Sequence, residues 1–329
     1  MDFRAEFHPK QFPQLIQHGQ KLFLTGSCFT EQIGSKLESH KFDVLQNPNG
    51  ILFNPVSIAQ SINSYIDQKI YSKDELFYNN EIWCSWKHHS RFSGLDNETV
   101  LHNINKSQKQ ASEFLQQSHW LLITLGSAFV YEKDGEKADD RYGNVVANCH
   151  KVAADKFKRY LLSAGEITNL LKSMISRVKQ YSPAIKIIFT ISPVRHLRDG
   201  FVENNRSKAA LIQSVHNLID DTSIFYFPAY ELIIDDLRDY RFYAEDMVHP
   251  NYQATNYVWE KFMATCIDGR SREIMKEILV INSAINHRPF NPLSEQHKLF
   301  VNTHLNKISA LIVKYPYMDF DKEIYMLQG

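Results

Sequence analysis

The 37 basic and 37 acidic side chains of this 329-residue sequence cancel to a formal net charge of zero. No long run carries one sign, so the sequence offers no phosphate-tracking surface, and nucleic acid is not an expected partner. Cysteine is scarce: Cys28, Cys84, Cys149 and Cys266 are too scattered for a disulfide scaffold and fit a reducing compartment. No stretch is long and apolar enough to span a bilayer. The first residues, Met1-Asp2-Phe3-Arg4-Ala5-Glu6, carry an acid early and run on to Pro9 and Pro13 without the apolar core of a secretory signal. Internal repeats and low-complexity stretches are also missing. These absences predict a cytoplasmic protein with no membrane span, and 43% hydrophobic residues provide for a sizeable core.

What is present is an alternation of short apolar runs and longer segments of helical period, the pattern of a parallel sheet with helices on both faces. Lys21-Leu22-Phe23-Leu24-Thr25 ends at Gly26, and Phe29, Ile33 and Leu37 then mark a helix face. Phe42-Asp43-Val44-Leu45 leads into the turn residues Asn47-Pro48-Asn49-Gly50, followed by a helical stripe at Ile58, Ile62 and Ile66. Asn79-Asn80, between two apolar clusters in residues 76–86, predicts an inserted hairpin. Residues 120–125 and 185–191 read as buried strands and residues 223–227 as a fifth. Residues 132–142 read as a polar loop. Ser163 and Glu166 have capping-box spacing ahead of the stripe Ile167, Leu171, Met174 and Val178. The expected fold is a three-layer α/β/α sandwich with a mostly parallel five-stranded sheet over residues 1–265. Residues 266–329, divided by Pro289 and Pro292, read as a helical C-terminal extension.

Open parallel sheets bind ligands outside the carboxyl ends of their strands, so residues just after each strand converge on one crevice. Gly26-Ser27-Cys28, Asn49-Gly50, Gly126-Ser127 and Ser192-Pro193-Val194-Arg195-His196 hold those places, and Asp246 and His249 lie on the loop after the last strand. Together they offer a nucleophile, a base and an acid.

At Thr25-Gly26-Ser27-Cys28-Phe29-Thr30 the sequence resembles the GSCFA proteins, an offshoot of the SGNH or GDSL-type hydrolases. The resemblance continues through residues 49–55, Thr124-Leu125-Gly126, Asn148-Cys149-His150-Lys151, residues 192–196, residues 238–243 and Asp246-Met247-Val248-His249-Pro250, and covers roughly residues 20–265. In the wider superfamily a serine nucleophile ends a Gly-Asp-Ser triplet. Laid on this sequence, the triplet puts Cys28 on the serine, so the resemblance implies a thiol nucleophile, with Ser27 as the alternative. A helix N-terminus and a nearby imidazole are expected to lower that thiol's pKa. The superfamily's Asp-x-x-His falls on Asp246 and His249, which implies orienting acid and general base. Gly50 matches the second-block glycine that donates to an oxyanion. The third block usually reads Gly-x-Asn, but Gly126-Ser127-Ala128 has alanine where the asparagine belongs, and Asn148 is the candidate replacement.

Other polar residues have quieter readings. Cys84, His88, His89, Cys149 and His150 have ligand chemistry but not the spacing of a common zinc site, so neither metal nor cofactor is expected. His89, Arg195 and His196 are candidates for substrate binding, with arginine suited to a carboxylate or phosphate, although Arg238 and Arg241 sit among acids as structural ion pairs do. The resulting expectation is an acyl-ester hydrolase, an esterase or deacylase on a small-molecule or glycan ester, working through a covalent acyl-enzyme. An acyltransferase with the same residues and a catalytically inactive binding protein of the same fold stay open. Oligomeric state is not readable from the sequence.

Overall fold

A computed structural model of the chain describes residues 5–134 and 141–328. Along the chain it runs β1 (Lys21–Gly26), α1 (Cys28–Ser39), β2 (Asp43–Gln46), α2 (Pro55–Ile66), then a hairpin of β3 (Leu76–Asn79) and β4 (Ile82–Ser85). There follow α3 (Asn97–Gln117), β5 (Trp120–Leu125), β6 (Phe129–Lys133), β7 (Phe157–Leu161), α4 (Ala164–Tyr181), β8 (Lys186–Ile191) and α5 (Gly200–His216). The last strand is β9 (Ile224–Tyr226), before α6 (Ala229–Glu231), which continues as a π-helical turn over Leu232–Asp236. The chain closes with α7 (Tyr252–Cys266), α8 (Gly269–Ile285), α9 (Glu295–Lys314) and α10 (Asp321–Gln328).

The central sheet has five strands in the order β2-β1-β5-β8-β9, every pair parallel. β5 and β8 are apolar along nearly their whole length because both faces are covered. On one face Phe23, Leu121, Ile123 and Phe189 pack with Ile58 and Ile62 of α2, Leu171 and Met174 of α4, and Leu211 and Val215 of α5. On the other, Leu22, Leu24, Leu122 and Ile188 pack with Phe29 and Ile33 of α1, and Val258 and Phe262 of α7. This is the three-layer α/β/α arrangement. The strand order reverses at β1, so the connections from β1 and β5 leave in opposite directions and open a crevice at their carboxyl ends.

The capping box forms as the spacing predicts: Ser163 Oγ accepts from Glu166 N–H at 3.3 Å while Glu166 Oε2 accepts from Ser163 N–H at 2.9 Å. The hairpin at 76–85 also forms, turning at Asn80 and Glu81 with φ of 48° and 62°. Two elements went unanticipated. α3 buries only a thin stripe including Val100, Ile104, Ala111 and Leu115 in an otherwise polar sequence. β6 and β7 pair antiparallel across a long intervening segment; residues 135–140 of the expected polar loop lie outside the described residues. α8, α9 and α10 share a separate small core around Ile278, Ile308, Leu311 and Phe320. Among the described residues, no helix is long and apolar enough to cross a membrane.

Candidate active site

Gly26 ends β1 with φ of +144°, and a Cβ there would lie 2.3 Å from the Thr124 carbonyl oxygen, so only glycine lets β1 and β5 approach this closely. Its N–H donates to Asn47 Oδ1 at 2.9 Å and its carbonyl accepts from Leu52 N–H at 3.0 Å. Ser27 N–H donates to Thr124 O at 3.1 Å, and Ser27 Oγ caps α1 by accepting from Phe29 N–H at 3.3 Å. Ser27 is therefore a buried N-cap, 3% exposed, with its hydroxyl oxygen accepting from the first turn of the helix. Cys28, the first residue of α1, is half-buried.

The expectation of a low thiol pKa is corrected by the structure. Burial raises the Cys28 pKa above its ordinary value, and outweighs the amides of Phe29 and of Cys28 itself, which act in the expected lowering direction. The thiol is thus protonated at neutral pH and depends on a base to become a nucleophile.

That base candidate sits on a tight loop. Tyr243 and Pro250 form an antiparallel bridge, Ala244 N–H donates to His249 O at 2.8 Å, and Met247 takes a left-handed φ of 57°. Asp246 Oδ1 accepts from the backbone N–H groups of Val248 and His249, at 2.9 and 3.0 Å, which leaves Oδ2 to accept from His249 Nδ1–H at 2.7 Å. The His249 backbone and side-chain bonds, then that of Val248, hold the Asp246 carboxyl down at a pKa of about 2. With Nδ1 occupied, His249 presents Nε2 as its acceptor. Arg195 fastens this loop to the end of β8: its N–H donates to Val248 O at 3.2 Å and its guanidinium lies 3.9 Å from the Tyr243 ring centroid.

Between turn and loop lies a residue the sequence reading missed. Lys208 on α5 is fully buried, and its Nζ donates to Gly126 O at 2.7 Å and Ser192 O at 2.6 Å, the carbonyls just beyond β5 and β8. Burial pushes its pKa down to about 7, while the field of Cys28 acts to raise it. Lys208 and His249 both oppose protonation of His196, which burial above all holds at about 4, so His196 is a neutral imidazole. Cys28 and Lys208, Lys208 and His196, and His196 and His249 thus influence one another's charge. A signal was there to read: Lys208 shares the apolar stripe of α5 with Leu211 and Val215, where a lysine is out of place.

The two glycines expected as oxyanion donors spend their amides elsewhere. Gly50 N–H donates to Asn47 O at 2.7 Å, and Gly126 N–H donates to Phe53 O at 2.7 Å. Gly50 instead makes room, at φ +82°, for His89, whose Cβ would lie 2.2 Å from a Cβ at that position. His89 Nδ1 accepts from Arg91 N–H at 3.3 Å. Ala128 packs in the core with its N–H on Ser207 Oγ at 2.7 Å. Asn148 Oδ1 accepts from His150 N–H at 2.7 Å, and the residue lines a cavity of about 520 Å³ together with Phe53, Ser127 and His196. Among the described residues no three His, Cys, Asp or Glu side chains gather as a metal site. His88 Nδ1 pairs with Ser85 Oγ at 2.8 Å, and His150 Nε2 donates to Ser85 O at 2.8 Å.

The model of the GSCFA family matches residues 21–262, and that of the GSCFA domain protein, C-terminal domain, matches residues 278–329. No match was found among curated proteins. Similar solved structures include an acetyl esterase mutant with acetate ion, 12% identical, with a TM-score of 0.37 over 79% of this chain and 99% of that one. A carbohydrate esterase family 3 protein from Talaromyces cellulolyticus is 10% identical, with a TM-score of 0.36 over 78% and 99%. A family two carbohydrate esterase from Clostridium thermocellum in complex with cellohexaose is 11% identical, with a TM-score of 0.36 over 78% and 64%.

Proposed function

The chain belongs to the GSCFA family, and from that premise we propose that it is an acyl-ester hydrolase working through a thioester acyl-enzyme on Cys28. The observation that carries the reading is the 2.7 Å contact from His249 Nδ1–H to Asp246 Oδ2, on a loop fastened to the carboxyl edge of the sheet where Cys28 opens α1. His249 Nε2 takes the thiol proton as Sγ bonds to the ester carbonyl carbon, and the carbonyl electrons move onto oxygen. The tetrahedral intermediate collapses, the C–O bond breaks, and the imidazolium returns the proton to the departing alkoxide. Water, deprotonated by the same imidazole, then attacks the thioester and the thiolate leaves with the proton.

The raised Cys28 pKa makes proton transfer to His249 an obligatory part of the first step. The half-buried thiol at the first helical position, against the capped and buried Ser27 hydroxyl, supports Cys28 over Ser27 as nucleophile. Since the Gly50 and Gly126 amides are committed, the oxyanion falls to Cys28's own N–H, with the Asn148 amide as second donor. The test is release of free acid from p-nitrophenyl esters by the wild-type chain and by Cys28→Ala, Ser27→Ala and His249→Ala. Loss of release with Cys28→Ala and His249→Ala but not with Ser27→Ala is expected; equal activity in Cys28→Ala contradicts the reading. Transfer of the acyl group to added alcohols in place of free acid would make it an acyltransferase with the same residues.

A further inference from the structure

A cavity of about 520 Å³ opens beside His196 and Ser127, and its lining is largely apolar. Phe53, Phe129, Tyr131, Val146, Val152 and Phe157 are its apolar and aromatic lining, with Ser127, Asn148, His150 and His196 among the polar groups. Phe53, Tyr131 and Val152 are half-buried and present the open part of that lining, over the buried Phe129, Val146 and Phe157. Two of its walls are fixed by structure on either side: the β6–β7 pair contributes Phe129, Tyr131 and Phe157, and the turn at residues 148–151 holds His150 and Lys151 at left-handed φ of 48° and 60°. Phe53 connects the cavity to the reaction centre, since its carbonyl holds the Gly126 and Ser127 amides and its ring lies 5.4 Å from that of His196.

We infer that this cavity receives the acyl chain of the substrate, and that the chain is several methylenes long and not an acetyl group. The inference rests on the hydrolase reading for the position of the ester carbonyl. At roughly 30 Å³ for each water-sized group, an acetyl methyl fills only a small part of the volume, and the apolar wall beyond it stays wet. A longer chain covers that wall, and each added methylene removes apolar surface from water, about fourfold in affinity for the transition state until the cavity is full. Lys151 and Arg198, both exposed, also line the cavity, and among the described residues no Asp or Glu does, which suits an anionic group beside them.

The experiment measures kcat/KM of the full chain on p-nitrophenyl esters from acetate to dodecanoate, with Ala154→Trp as a blocking variant. Ala154 is exposed at the cavity edge, so the added indole occupies the cavity without disturbing the core. Expected is a rise of about fourfold per methylene to an optimum beyond butanoate, and a shift of that optimum toward acetate in Ala154→Trp. A flat series, or acetate as the best substrate, overturns the inference. If no ester shows Cys28-dependent turnover, the hydrolase reading falls by itself, and calorimetric binding of decanoate then decides about the cavity. Decanoate binding that Ala154→Trp abolishes upholds the apolar chain site, and absence of decanoate binding to the wild type overturns it.

Discussion

The Gly26-Ser27-Cys28 turn and the Asp246–His249 loop both end up at one edge of the sheet, yet they are built in opposite ways. The turn is held by backbone bonds to Asn47, Leu52 and Thr124 and sits among buried residues. The loop is held by its own aspartate, with the Asp246 and His249 side chains 50% and 43% exposed. Burial therefore rules the chemistry of the turn and pushes the Cys28 pKa up, whereas hydrogen bonds rule the loop and hold Asp246 down at about 2. In the proposed reading the nucleophile is the half-buried half of the site and needs help to ionise, and the base is the half that is already oriented.

If that contrast is right, the largest losses come from the groups that move protons. Removing the nucleophile in Cys28→Ala should lower steady-state ester hydrolysis by on the order of a thousandfold or more, and His249→Ala by on the order of 10²- to 10⁴-fold. Asp246→Asn should fall at the lower end of that range, because water reaches an exposed imidazole and partly replaces its partner; a loss as large as that of His249→Ala would show the loop to be less solvated than described. Gly26→Ala should destabilise the fold by about 1–3 kcal/mol in chemical denaturation, from left-handed strain and the clash with Thr124 O. An equivalent alanine at Gly165, where nothing lies within 4 Å, should be close to neutral.

Smaller effects follow from the buried charge. With a Lys208 pKa of about 7 in the folded chain and 10.5 as its ordinary value, the unfolded chain binds a proton that the folded chain releases between those values. Its contribution to stability therefore rises as pH climbs from about 7 toward 10.5, and Lys208→Met should remove that slope in denaturation curves taken at pH 7 and pH 9. An unchanged slope would show that the two carbonyl bonds keep the lysine charged throughout. Smallest of all, iodoacetamide should modify Cys28 more slowly at pH 7.5 than a free cysteine peptide, since burial raises its pKa, and Lys208→Met should slow it further because the lysine's field acts to lower that pKa.

The sheet was legible because its strands carry their signal locally: Trp120-Leu121-Leu122-Ile123-Thr124-Leu125 cannot be satisfied anywhere but between two covered faces. A crevice at the carboxyl ends of the strands followed from the rule for open parallel sheets, whereas the order β2-β1-β5-β8-β9 depends on long-range pairing that no single segment carries. The hydrogen bond between Asp246 and His249 was legible in their spacing, since residues three apart can be joined within one turn. Lys208, Asn47 and Phe53 were not, because their roles arise from contacts between distant segments: Lys208 bridges the ends of β5 and β8, and Asn47 accepts from Gly26. The thiol pKa was misjudged because helix position is visible in sequence and burial at that position is not. The commitment of the Gly50 and Gly126 amides to Asn47 and Phe53 is equally a matter of tertiary geometry.

The central claim, that Cys28 carries the acyl group, is tested most directly by incubating the protein with an activated ester, quenching at low pH, and locating the adduct by peptide mass spectrometry. The account predicts an acyl mass on the peptide at Cys28, present in Ser27→Ala and absent in Cys28→Ala. An adduct on Ser27, or one that persists in Cys28→Ala, would contradict it.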